Sequence, residues 1–120
     1  MERNIIFVDN YETDCSIGIY PKEKEKKQKI KISVKLEFLR AYNSDKLSST
    51  LSYESILDYL KKIKTFEHIN LVETLANKIC NNFLTYKKII FIEVKIVKCK
   101  LVKKNTDVGF LLKKSLKNKW

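Results

Sequence analysis

Two glycines and one proline in 120 residues leave this chain without a flexible linker or a proline-rich spacer. With no internal repeat either, residues 1–120 read as one domain, long enough to bury a core without disulfides or a metal. The three cysteines, Cys15, Cys80 and Cys99, are odd in number, widely spaced and free of any CxxC pair. That argues against a disulfide framework and against a zinc site, and leaves plain thiols. The lone histidine, His68, excludes any site that needs two or three imidazoles from one chain, and several zinc-enzyme classes with it. His68 itself is expected in a solvated link between two helices. No apolar run approaches the roughly 18 residues of a membrane span, and Met1-Glu2-Arg3-Asn4 lacks a basic region followed by an apolar one. No membrane association is expected; the protein reads as soluble and cytoplasmic.

Acidic residues are the minority, 14 against 25 Lys and Arg, for a net charge of +11. Such an excess invites a nucleic-acid reading. The lysines, however, are scattered over nearly every segment, and no Gly-aromatic pattern of the RNA-binding sheet interleaves them. They read as solvated faces, and no nucleic-acid partner is expected.

Apolar residues are well supplied at 44%, and their spacing sets the expected elements. Residues 5–11 are short and β-prone, a first strand whose facing is ambiguous. Residues 17–28, punctuated by Gly18 and Pro21 and followed by mixed charges, predict a long exposed loop. From Lys29 onward Ile30, Ile32, Val34, Leu36 and Phe38 alternate with polar residues, so one face of this strand is core and the other polar. Turn chemistry over residues 40–50 leads to a helix with Ser52 as N-cap, Tyr53 in its first turn and Ile56, Leu57, Leu60 and Ile63 in phase. A second helix runs from Asn70 to about Thr85. Residues 89–98 form another long strand, and residues 107–112 a last one before a basic tail at 113–120. Strands and helices segregated in this way predict an α+β fold, an antiparallel four-stranded sheet with two helices over one face.

Two charged residues fall in uncommon places. At roughly 100° per residue, Val72, Leu75, Ala76, Ile79, Cys80 and Phe83 share one arc of the second helix, and Glu73 borders it, facing a partly buried space. Glu73 also lies three residues after Asn70, the spacing of a capping box. Lys98 continues the apolar row Ile90, Ile92, Val94, Ile96, since strand side chains alternate with a period of two. A lysine there either snorkels outward or stands as a partly desolvated amine available for proton transfer.

Taken together, Ile17-Gly18-Ile19-Tyr20 with Glu23 and Gln28, Ser44-Asp45, Thr50-Leu51-Ser52-Tyr53, Leu71 through Ala76, Val94 through Lys98, and Asp107-Val108-Gly109 resemble the dihydroneopterin aldolase family over essentially the whole chain. The resemblance implies the tunnelling fold, ββααββ, in a homo-oligomeric ring of four or eight subunits with the active site at a subunit junction. It implies cleavage of 7,8-dihydroneopterin without metal or cofactor. Glu73 matches the pterin anchor, a carboxylate suited to two parallel N–H donors, with backbone contacts at Val72 and Leu51. Lys98 matches the catalytic lysine, a general base acting through water, a role that asks for burial or a neighbouring cation to free the amine. Glu23 and, from the next subunit, Tyr53 match the groups that hold the hydroxyls and the water. One departure stands out, Cys99 and then Lys100 where the family commonly has proline after the lysine. Within the family the alternative is a 2′-epimerase acting on dihydroneopterin or its triphosphate, with Lys22, Lys24, Lys26 and Lys100 available to a phosphate. Outside it, the alternative is a non-catalytic basic module that binds nucleic acid.

Overall fold

The computed structural model describes residues 2–40, 43–99 and 105–115, so Lys100, residues 41–42 of the expected turn and residues 116–120 of the basic tail lie outside the description. Four strands, β1 (Asn4–Cys15), β2 (Gln28–Phe38), β3 (Ile89–Lys98) and β4 (Gly109–Ser115), form one sheet in the order β1-β2-β3-β4, antiparallel throughout. Between β1 and β2 lies a short helix, α1 (Pro21–Glu25); between β2 and β3 lie α2 (Tyr53–Leu60) and α3 (Val72–Leu84). The α+β architecture read from the sequence is what the chain adopts, with α1 added.

The β2 alternation buries Ile30, Ile32, Val34 and Leu36, and β3 buries Ile92, Val94 and Ile96 beside them. Against this face pack Ile56 and Leu60 of α2 and Leu75, Ala76, Ile79, Cys80 and Phe83 of α3, the arc expected from helical spacing. Val72 sits at its rim, half-buried. Ser52 caps α2 through its hydroxyl, which accepts from Glu54 N at 3.2 Å. Cys15, Cys80 and Cys99 are free thiols, and burial pushes the first two up to about 11.

Strand β1 runs longer than residues 5–11, and its facing changes partway. Val8 lies opposite Val34 and Tyr11 opposite Ile32, so Asp9 and Asn10 together face Ser33 alone. Asn10 takes the left-handed conformation at φ 56° and donates its N–H to Ser33 Oγ at 2.9 Å. This bulge moves the inward row from Ile6 and Val8 to Tyr11 and Cys15. Strand β4 also departs from expectation, running to Ser115 and not ending at 112. Lys113 and Lys114, read as tail, are strand residues: Lys113 Nζ lies 3.7 Å from Glu93, and Lys114 Nζ donates to Asn77 and Asn81 of α3 at 2.9 and 3.2 Å.

Among the described residues no helix is long and apolar enough to cross a membrane.

Candidate active site

Where β1 ends, the chain docks on the segment before α3. Ile17 bridges Ile69 in parallel, with Gly18 N donating to Ile69 O and Ile69 N to Ser16 O, each at 2.9 Å. Ile17 is fully buried, which corrects the expectation of an exposed loop from residue 17. The apolar side chain and its bridge hold down the stretch that the Gly and Pro punctuation suggested was loose.

Pro21 then opens α1, its fixed φ suiting a first helical position. Glu23, two residues on, folds its carboxylate back over Gly18. Oε1 accepts from Tyr20 N at 3.3 Å, and Oε2 accepts from both Gln28 Nε2 and Lys98 Nζ at 2.6 Å. Gln28, only 3% exposed, also donates Nε2 to Ile17 O. Gly18 is required by its φ of +130°, and a Cβ there, 2.1 Å from Glu23 Cδ, would push the carboxylate from its place. The hydrogen bond from Lys98, then that from Gln28, lowers the Glu23 carboxyl from the ordinary 4.5 to about 2.

Lys98 lies on the core side of its strand as parity expected, and its amine reaches this carboxylate. It ends β3 opposite Ile30, in the row of Ile92, Val94 and Ile96, and its N–H donates to Val108 O at 3.1 Å. The Lys98 and Glu23 side chains retain 15% and 19% of their exposure, so the pair is largely screened from water yet reachable. Of the two aids expected for freeing the amine, burial or a neighbouring cation, partial burial is present, and the neighbour of Lys98 is a carboxylate. Gly109 lets β4 close over this end of β3, since a Cβ there would fall 1.9 Å from Ile96 O.

The other expected site residues stand apart from the pair. Helix α3 starts at Val72 with Leu71 as N-cap and no side-chain cap, which corrects the reading of Asn70 as N-cap of a capping box. The bridge at Ile69 keeps the backbone extended through Leu71 (φ −121°, ψ 141°), so the helix begins two residues later and Glu73 falls at its second position. Glu73 is exposed within the protomer, not facing a partly buried space, and its carboxylate has no hydrogen-bond partner among the described residues. Tyr53 opens α2 with 58% exposure, and Leu51 is half-buried against the core.

His68 is not a solvated linker residue. It is half-buried, with Nδ1 2.7 Å from Ser16 Oγ and Nε2 2.7 Å from Gly18 O. A carbonyl only accepts, so Nε2 carries a proton, and in the neutral ring Nδ1 accepts from the serine hydroxyl. Gln28 is the other group whose part the sequence did not disclose: its spacing from Glu23 was visible, its bond to it was not. A concavity of about 530 Å³ lies elsewhere, on the open face of the sheet between Ser33, Lys35, Lys95 and Asp107. It holds neither Glu23 nor Lys98, and the half-buried pair is the better guide to chemistry.

Fold and pair together define a small α+β protein with a half-buried carboxylate–amine pair at one end of an antiparallel sheet. The family model FolB, dihydroneopterin aldolase, matches residues 6–112, and the chain belongs to that family. A putative dihydroneopterin aldolase from Vibrio cholerae superposes with a TM-score of 0.83 at 21% identity, over 97% of this chain and 100% of the other. The E. coli dihydroneopterin aldolase in complex with neopterin gives 0.79 at 21% identity, covering 93% and 99%. The Burkholderia thailendensis dihydroneopterin aldolase bound to guanine gives 0.79 at 21%, covering 95% and 92%. At this identity the structures speak for the fold, and the family model supports the aldolase reading of the sequence. No curated protein matches it at the sequence level.

Proposed function

We propose that the chain cleaves 7,8-dihydroneopterin by a retro-aldol reaction to 6-hydroxymethyl-7,8-dihydropterin and glycolaldehyde. The observation that carries this is the Glu23–Lys98 pair at 2.6 Å, a carboxylate and an amine meeting from opposite ends of the chain in a member of the aldolase family. Proton transfer is what the reaction asks of the protein. Removing the proton of the C2′ hydroxyl lets the C1′–C2′ bond break into a carbonyl. Its electron pair passes into the C=N bond of the dihydropterin ring, and the ring carbon chain then takes a proton back. Lys98, through water, exchanges these protons, while Glu23, ionised to low pH, holds the hydroxyls.

Glu73 is the pterin anchor in this reading. Neopterin and guanine, the ligands of two of the related structures, present the same paired N–H edge, and a carboxylate accepts both donors at once. Freed from capping duty and with no carboxylate partner among the described residues, Glu73 is available for it, with backbone contacts from Val72 and Leu51. Tyr53 belongs to the site of the neighbouring subunit. The exposed apolar residues Ile19, Tyr20 and Leu71 beside the pair, and Leu39, Leu47 and Tyr53 at the far end, supply two surfaces for such a junction.

Incubation with 7,8-dihydroneopterin and product identification is the test. Glycolaldehyde with the hydroxymethylpterin is expected. An epimerised substrate alone makes the protein a 2′-epimerase, and recovered substrate overturns the enzyme reading.

A further inference from the structure

We infer that His68 is a positioning residue for the Glu23–Lys98 pair, its imidazole fixing the backbone shelf on which the Glu23 carboxylate rests. Three contacts in series carry this. The ring spans the parallel clip between residues 16–18 and 68–69, bonded at Nδ1 to Ser16 Oγ and at Nε2 to Gly18 O, both at 2.7 Å. Gly18, so held, is the residue against which the carboxylate packs too closely to admit a Cβ. The carboxylate in turn receives Lys98. With no Cβ to confine it, glycine keeps one backbone conformation only where its neighbours hold it there, and Gly18 sits at φ +130°. Here the clip hydrogen bonds fix Gly18 N, and His68 fixes the other end of the residue, its carbonyl.

The same side chain stands five residues before Glu73, at the point where the clip hands the chain to α3. A single imidazole thus joins the shelf under the proton-transfer pair to the segment that leads into the anchor. The catalytic consequence rests on the aldolase reading, whereas the placement of Glu23 does not.

Two measurements separate the two. In the first, the Glu23 carboxyl is titrated by ¹³C NMR. Its midpoint near 2 is expected to persist in H68Q, whose amide both donates to Gly18 O and accepts from Ser16, and to rise towards the ordinary value in H68L. An unchanged midpoint in folded H68L overturns the inference whether or not the protein is an aldolase. In the second, steady-state turnover of 7,8-dihydroneopterin is expected to fall about 10- to 100-fold in H68L with KM little changed, the mark of misplaced reacting groups, and to recover in H68Q. A loss in H68Q equal to that in H68L overturns it, since shape and not hydrogen bonding would then matter. If H68L does not fold, S16A decides: it removes the support at Nδ1 and is expected to raise the Glu23 midpoint, and no rise overturns the inference. Wild-type protein inert towards the substrate sinks the aldolase reading and leaves the titration to judge His68.

Discussion

Glu23 is the residue through which the site meets the solvent's pH. Its carboxyl is lowered in the folded chain, so the unfolded state binds the proton more readily. The stabilisation from its pair is therefore fully present above about 4.5 and is lost as pH falls towards about 2. Acid unfolding followed by circular dichroism should show this, and E23Q should flatten the dependence inside that window while leaving the behaviour at neutral pH unchanged in slope. Lys98 carries a different expectation. K98M keeps the apolar stem, and turnover should drop by about 10² to 10⁴, the usual contribution of general acid–base catalysis, with affinity for a pterin ligand largely retained. Equal losses in affinity and rate would assign Lys98 to binding. Lys98 was legible from sequence because strand parity fixes which way a side chain points. His68 was not, since a single imidazole in a non-periodic connection has no spacing to betray its partners, and both of its partners lie some 50 residues upstream.

At the scale of elements, the strands with strict alternation and the helices with a full apolar arc were readable because burial on one face imposes those periods. β2 and the α3 arc came out as read. Other features departed from that reading, and two of the departures have an identifiable cause. The start of α3 was displaced by a bridge made with a segment 52 residues away, Ile17 to Ile69, which outweighed the Asn70 capping signature. The facing of β1 was ambiguous because the bulge at Asn10 resets the two-residue period within the strand, so no single alternation describes it. The edge pairing of β4 yields a prediction of its own. G109A would drive a Cβ to 1.9 Å from Ile96 O, against backbone and not a yielding side chain. It should prise β4 from β3 near Lys98, costing more than the roughly 1 kcal/mol of an ordinary glycine exchange, and chemical denaturation reads the loss directly. The charged rows on the open face, Lys35 and Lys113 about Glu93 at 3.7 Å, are exposed at their lysine ends and contribute little by comparison, about 0–1 kcal/mol a pair.

As a whole the protomer is drawn out. Its radius of gyration is 15.7 Å, whereas a compact domain of this length has roughly 14 Å. Among the described residues neither β1 nor β4 has a strand partner on its outer edge, and large apolar side chains stand exposed at Leu47, Tyr20 and Tyr53. Such a molecule is expected to associate through those edges and patches, and light scattering at micromolar concentration should give a multiple of 14.2 kDa. A monomer would leave Tyr53 no route to a neighbour's Lys98. The separation of Tyr53 from the Glu23–Lys98 pair has a genetic counterpart. If each working site takes its lysine from one subunit and its tyrosine from the next, K98M and Y53F damage different contributors and not the same place. Each variant alone should be crippled, yet the two co-assembled in equal amounts regain about one intact site in four by random mixing around a ring. A cell carrying both defective copies should then make product that neither copy makes alone, and two failures would complement one another.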